Sequence, residues 1–313
     1  MVLFSGGVGG SRLAAGLYDL LGEALVVIVN TADDEVIYGL HVSPDIDTVI
    51  YALSGIGDWE RGWGIKGDTF RCNEMIGVLG FENWFKIGDS DMAVNLMRNK
   101  MLAEGFSLTE ATEVISRRLG LRCRVLPMTD YRVVSVVVTD EGPMTFQEYF
   151  VKRRTEPRVI DVRWERSPSE HPAPGVVEAL RSAETMVFAP SNPILSIHPI
   201  LETRGVIEEI RLSEAVKVAV SPIVGGKAIR GPADKLLEAY GYEKGVLGVA
   251  EFFDGLIEGL VIDRIDSDQA HSLKSRFGIE VLVTDTIMTS REVAKRLAGE
   301  VIEFAEQIRR ARN

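Results

Sequence analysis

The sequence predicts an α/β domain built on a doubly wound, mostly parallel sheet, with an antiparallel and helical subdomain inserted into it. Two observations carry this. Short apolar runs recur along the chain, each closed by small, polar or proline residues, and helical patterns separate them. The runs are Val2–Phe4, Leu25–Val29, Met186–Phe188, Val216–Val220 and Val281–Val283. They are too short for helices and rich in Val and Ile, as strands buried on both faces of a parallel sheet are. Strands alternating with helices wind such a sheet in two directions, the Rossmann-like arrangement.

The first run leads into Ser5-Gly6-Gly7-Val8-Gly9-Gly10 and then a helix over about 9–21. Glycine allows a tight turn, and it lets backbone amides approach a ligand with no side chain between. The helix N-terminus adds its positive dipole end, so Gly6, Gly7, Gly9 and Gly10 are candidate phosphate-binding residues. Two common motifs do not fit. No Gly-Lys-Ser/Thr follows, and a dinucleotide fingerprint starting at Gly7 would place Arg12 at its third glycine.

The second run closes with Asn30-Thr31-Ala32-Asp33-Asp34. An acidic residue at this point of a dinucleotide fold meets a ribose hydroxyl. Adjacent carboxylates also suit a hard cation such as Mg²⁺. Ser43-Pro44-Asp45-Ile46-Asp47 then opens a predicted helix through Val49, Ile50 and Leu53. Asp45 suits the helix dipole. Asp47 still lies in the first turn, where a carboxylate can orient or deprotonate a hydroxyl nucleophile.

Lys86-Ile87-Gly88-Asp89 follows Trp84-Phe85 and suits a ligand with polar and aromatic parts. Ala189-Pro190-Ser191-Asn192-Pro193 is a loop stiffened by two prolines, in which Ser191 and Asn192 offer hydrogen bonds to a base or phosphate. Ser221-Pro222 opens a similar loop containing Gly225-Gly226-Lys227. In an open parallel sheet all these loops line one crevice, outside the carboxyl ends of the strands.

Residues 91–119 read as two helices, the second capped by Ser107-Leu108-Thr109-Glu110. Val133–Val138 and Met144–Val151, joined by Asp140-Glu141-Gly142-Pro143, read as an antiparallel hairpin. Together these define an insertion over about 55–165 within a single domain spanning 1–313. Val293, Leu297, Val301, Phe304 and Ile308 stripe a last helix that ends in Arg309, Arg310 and Arg312.

Lys and Arg total 35 against 46 Asp and Glu, a net charge of −11. Such a surface does not suit nucleic acid, and it obliges an anionic ligand to find local amides, cations or a metal. No run is long enough to span a bilayer, and no charged leader precedes Val2, so a cytoplasmic location is expected. Cys72 and Cys123 have no pairing pattern and read as reduced thiols. His41, His171, His198 and His271 lack metal-ligand spacing.

Taken together and in order, these motifs resemble the 2-phospho-L-lactate transferases of coenzyme F-420 biosynthesis, the CofD family. The resemblance runs through Arg61-Gly62-Trp63-Gly64, Leu126-Pro127-Met128, Phe146-Gln147-Glu148-Tyr149-Phe150 and Asp285–Ser290 as well as the loops above. It implies transfer of a phospho-(2-hydroxy or enol) three-carbon acid from its guanosine diphosphate ester, lactyl or enolpyruvyl. The acceptor would be the ribityl hydroxyl of the deazaflavin Fo, with GMP released and Mg²⁺ required. The nucleotide would be held by the glycine turn, Asn30, Thr31, Asp33, Ser191, Asn192, Pro193 and Ser221, and Fo by Asp47, Lys86 and Asp89. Asp33 and Asp47 are the leading catalytic and metal-ligand candidates, followed by Asp34 and Asp45. A homodimer is the expected assembly. The pattern departs from the family at Ser90, Asn95 and Tyr131. Two other readings stand beside it: a nucleotide-sugar-binding regulatory protein of a related family, and an NAD(P)-dependent oxidoreductase.

Overall fold

The structure, a computed structural model, describes residues 1–312. Its strands in chain order are β1 (Val2–Ser5), β2 (Val26–Val29), β3 (Glu35–Ile37), β4 (Leu40–Val42), β5 (Arg124–Pro127), β6 (Val133–Thr139), β7 (Gly142–Thr145), β8 (Val159–Arg166), β9 (Thr185–Phe188), β10 (Val216–Val220), β11 (Ile223–Val224), β12 (Lys227–Ala228), β13 (Gly259–Asp263) and β14 (Glu280–Thr284). The first five helices are α1 (Gly7–Leu21), α2 (Pro44–Ser54), α3 (Arg71–Val78), α4 (Asp89–Ala103) and α5 (Leu108–Arg118).

Seven strands form the central sheet in the order β14-β13-β10-β9-β1-β2-β5, and every pairing in it is parallel. From β1 the chain moves one way through β2 and β5. It then returns to the other side of β1 as β9 and continues outward. The order therefore reverses between β1 and β9, and the crevice at that reversal is where such sheets bind ligands.

Alternate residues of each strand serve opposite faces. Leu3, Val27, Val29 and Val187 pack under α1, α2 and the last helix, Arg291–Arg312. Phe4, Ile28, Met186 and Phe188 face the other layer, where the Phe4 and Phe188 rings stack 4.7 Å apart. α1 crosses the last helix at Gly16, where a Cβ would lie 2.3 Å from the carbonyl oxygen of Ala294. Arg309, Arg310 and Arg312 end that last helix as expected.

Five of the seven sheet strands match the apolar runs. Of the other two, β5 lies within the expected insertion and β13 in a segment where no strand was expected. β5 is a short edge strand ending in Pro127. β13 begins at Gly259, a residue that weakens strand patterns, because Phe304 and Ile308 fill the space a Cβ would need.

The insertion is in two pieces, because β5 returns to the central sheet between them. α3, α4 and α5 form the first, and Ser107 and Glu110 make the reciprocal capping box on α5. The second is a three-stranded antiparallel sheet in the order β7-β6-β8. Here the structure keeps the expected hairpin, as β6 with β7, but shortens its second strand. The strand starting near Met144 stops at Thr145, and Glu148–Lys152 winds into one wide helical turn. On the other side of β6, β8 pairs along its whole length. Cys72 and Cys123 are both free thiols. Among the described residues no helix is long and apolar enough to cross a membrane.

Candidate active site

A cavity of about 470 Å³ opens at the β1/β9 reversal. Gly6, Gly7, Val8 and Gly9 form part of its wall, opposite Pro190, Ser191 and Asn192. Gly7 takes a positive φ of 62° to turn the chain from β1 into α1. Two of the glycines serve close packing. A Cβ on Gly9 would stand 2.1 Å from the Pro190 carbonyl oxygen, and one on Gly10 would press on the hydroxyls of Ser5 and Ser191. Ser191 ties the two loops further: its Oγ accepts from the Gly6 amide at 3.1 Å and donates to the Gly6 carbonyl at 2.6 Å. The Gly7 amide donates to Asp45 Oδ1 at 2.7 Å. The first-turn amides after it have no intrahelical acceptor, and Val8 and Gly9 border the cavity. Gly10 stands behind, in the packing.

Two guanidinium groups supply the local cations that the acidic chain needs. Arg12 and Arg230 both line the cavity. Arg12 donates to the carbonyls of Met288 and Trp59 at 2.8 and 2.5 Å, and it stacks over the Trp59 ring. Burial, and then the charge of Arg230, lower its pKa. Arg230 bonds the carbonyls of Glu60 and Arg61 and so clips their loop over the same opening.

Four carboxylates border the cavity: Asp33, Asp45, Asp47 and Asp91. Asn30 sets the first two side by side, its Nδ2 donating to Asp33 Oδ2 and Asp45 Oδ2 at 3.1 Å each. Asp33 Oδ1 is buried with no hydrogen-bond partner. Burial, then the charge of Asp45, push the Asp33 pKa well up, and burial pushes Asp45 up to about 6. Both carboxylates therefore lack compensating positive charge. Among the described residues no group of three or more His, Cys, Asp or Glu is placed to hold a metal by itself. Two carboxylates that need a cation fit Mg²⁺ of the kind that completes its shell with substrate phosphates and water.

Asp47 sits differently from the metal ligand expected. Fully buried Arg98 grips it, Nη1 reaching Oδ2 at 3.0 Å and Nη2 binding Oδ1. Arg98 offsets part of its charge, so Asp47 calls for a metal less than Asp33 and Asp45 do. A spare lone pair on each oxygen still suits a hydroxyl donor. Burial nonetheless raises its pKa.

The remaining candidates divide between cavity and frame. Lys86 and Ser221 reach the cavity. Lys86 Nζ donates to Asn73 Oδ1 at 2.8 Å. Asn192 combines both roles, since its Oδ1 caps the turn through the amides of Ile194 and Leu195. Thr31 and Pro193 are buried behind the wall. Asp34 turns away to Ser43 Oγ at 2.7 Å and His41 Nε2 at 3.0 Å. Asp89 is also elsewhere: its carboxylate accepts from the amides of Arg71 and Cys72 and from Thr69, capping α3. Arg12, Tyr51, Asp91, Arg98 and Arg230 went unrecognised in the sequence. Tyr51 follows Asp47 by one turn, and Asp91, Asn95 and Arg98 fall on one face of α4, so spacing carried a signal for these.

The fold and site define a Rossmann-like α/β transferase with its substrate cleft at the switch point. The chain belongs to the family described as 2-phospho-L-lactate transferase CofD, whose model matches residues 1–299. It is 40% identical over 311 residues to a 2-phospho-L-lactate transferase of Methanopyrus kandleri, covering 98% of both chains. It is 41% identical to the protein of that name from Methanothermobacter thermautotrophicus, covering 96% of this chain and 98% of the relative. With a phosphoenolpyruvate transferase of Streptomyces griseus the identity is 37%, over 99% of both. A crystal structure of a UPF0052 family member from Bacillus halodurans shares the fold, with a TM-score of 0.64 at 19% identity over 96% of this chain and 97% of that one.

Proposed function

We propose that this enzyme transfers a phosphorylated three-carbon acid from its guanosine diphosphate ester to the ribityl hydroxyl of the deazaflavin Fo. The observation that carries the reading is one cavity in which an amide-rich turn faces two uncompensated carboxylates, with a third, arginine-held carboxylate beside them.

Phosphoryl transfer asks a protein mainly for in-line positioning and for neutralisation of charge on phosphoryl oxygens. The diphosphate of the donor fits the turn Gly6–Gly9, where the Val8 and Gly9 amides, the α1 dipole and Arg12 and Arg230 all favour anionic oxygen. The guanosine end fits the Ser191–Asn192 and Ser221 loops, which offer hydroxyl and amide groups. Asp33 and Asp45 would hold Mg²⁺, which when bound supplies charge neutralisation to the diphosphate. The deazaflavin fits the far end, where Lys86 stands among Phe85, Phe146 and Phe150. Asp47, held by Arg98, receives the ribityl hydroxyl as a hydrogen-bond acceptor and fixes its approach. The hydroxyl oxygen forms a bond to the acid-bearing phosphorus as the bond to the GMP oxygen breaks. The leaving GMP takes that electron pair.

An oxidoreductase explains less. Arg12 occupies the place of the third fingerprint glycine, and its side chain ties α1 to the loops at Trp59 and Met288. Titration separates the readings. GDP with Mg²⁺ and Fo should each bind, and NAD(P) and nucleotide sugars should not. Binding of NAD(P) with indifference to Fo would reject the proposal.

A further inference from the structure

α2 and α4 meet along a polar seam. Asp47 and Tyr51 lie one turn apart on α2, and Asp91, Asn95 and Arg98 share one face of α4. Arg98 binds both oxygens of Asp47, and its Nη1 also donates to Asn95 Oδ1 at 2.8 Å. Tyr51 donates to Asp91 Oδ1 at 2.8 Å, and Asn95 Nδ2 donates to the same oxygen at 3.1 Å. The seam uses every side-chain oxygen of its two carboxylates except one. Asp91 Oδ2 has no partner in the protein, it is not sealed in, and its residue borders the cavity.

We infer that Asp91 is the catalytic base of the transfer, its free Oδ2 taking the proton of the attacking hydroxyl while Tyr51 and Asn95 hold the other oxygen fixed. The inference rests on the functional reading above. It divides the labour of the acceptor end. Asp47 has both oxygens held by a guanidinium. Asp91 is joined only to a phenol and an amide, both on one oxygen, which leaves the other free. The step balances simply: the O–H proton passes to Asp91 Oδ2, the hydroxyl oxygen bonds phosphorus, and GMP departs with the electron pair of the broken P–O bond. After release of product the proton returns to solvent through the cavity.

The surroundings tune the group for this. Burial, then the nearby charge of Asp47, raise the Asp91 pKa to about 7, against the Tyr51 hydrogen bond and the charge of Arg98. Asp68, which caps α4 through the amides of Ser90 and Asp91, adds to the rise. A base poised near neutral pH is the most effective one there.

The test is Asp91→Asn, which retains an oxygen for Tyr51 and Asn95. With Fo and the guanosine diphosphate ester, kcat should fall by ~10²–10⁴-fold, the size of a general-base contribution. The dissociation constants of Fo and GDP should stay within a few-fold, which also shows that the variant is folded. Wild-type kcat should climb as pH rises toward about 7 and then level off, and the residual rate of the variant should lack that limb. A variant with near-wild-type kcat overturns the inference. So does a wild-type kcat that is flat between pH 5.5 and 8.5, whatever the variant does. Wild-type protein that releases no GMP in the presence of Fo overturns the functional reading as well, whereas turnover that survives Asp91→Asn overturns this assignment alone.

Discussion

Replacing Arg98 by Met tests the buried pair at the centre of the acceptor end. Arg98 has no exposed surface, and it holds both oxygens of Asp47. Methionine keeps most of the stem and removes the charge, which leaves a buried carboxylate alone. Such a group takes up a proton rather than remain ionised. From an ordinary value of 3.8, protonation at pH 7 costs about 4 kcal/mol, which agrees with the ~3–5 kcal/mol typical of breaking a buried pair. The sign follows from linkage. A carboxylate with a raised folded-state pKa loses stability as pH rises, so the deficit of the variant should shrink to about 2 kcal/mol at pH 5. Urea titration at the two pH values measures this. Adding Asp47→Asn to Arg98→Met should recover most of the loss at pH 7, because the two residues act as a unit. A deficit below about 1 kcal/mol, or one equal at pH 5 and pH 7, would refute the reasoning, the second outcome pointing to lost packing instead of stranded charge.

Three further predictions concern the glycine turn and the buried carboxylates. Gly9→Ala drives a methyl group into the backbone carbonyl of Pro190, so GDP affinity should drop at least ~10-fold with a lowered melting temperature, read by calorimetry. Retained affinity would show that the two loops can part. Because Asp33, Asp45 and Asp91 all have raised pKa values, the ligand-free protein should gain stability as pH falls from 7.5 to 5.5. The Asp45 rise to about 6 alone accounts for about 1 kcal/mol of this over that pH range, with the rest of its effect falling below pH 5.5, seen as a higher melting temperature at pH 5.5; the opposite trend contradicts the assigned shifts. Asp33→Asn should abolish the additional stabilisation that Mg²⁺ gives the GDP complex and leave metal-free GDP binding within a few-fold, measured by thermal shift with and without chelator.

The sheet and the donor loops were legible in the sequence for a common physical reason. Strands buried on both faces must be short, continuous and apolar, as Val216–Val220 is, and the polar residues closing them must stand at one edge. The glycine turn, Asn30-Thr31-Ala32-Asp33 and Pro190-Ser191-Asn192 follow directly. The acceptor end was harder to read. α4 is inverted, since Asn95 and Arg98 are buried while Leu96 and Met97 are exposed. A hydrophobic pattern assigns that helix the wrong inner face, and Asp91 and Arg98 go unnoticed. Asp89 was attractive as a charged residue in a glycine loop, yet it caps α3, a contact that no local pattern announces. Arg12 registered only as a missing glycine, although it is one of the two guanidinium groups lining the cavity. Met144–Val151 shows the remaining difficulty. Its residues suit a strand, but only those up to Thr145 pair with β6, and Glu148–Lys152 winds into a helical turn.

The central claim is a transfer to Fo, and one measurement addresses it directly. The protein is incubated with Fo, Mg²⁺ and either the lactyl or the enolpyruvyl guanosine diphosphate ester, and the mixture is read by mass spectrometry. The account predicts GMP and a phosphodiester of Fo with the three-carbon acid, formed one for one, from at least one of the two esters. Hydrolysis of the ester with Fo unchanged, or no reaction with either ester, would contradict it.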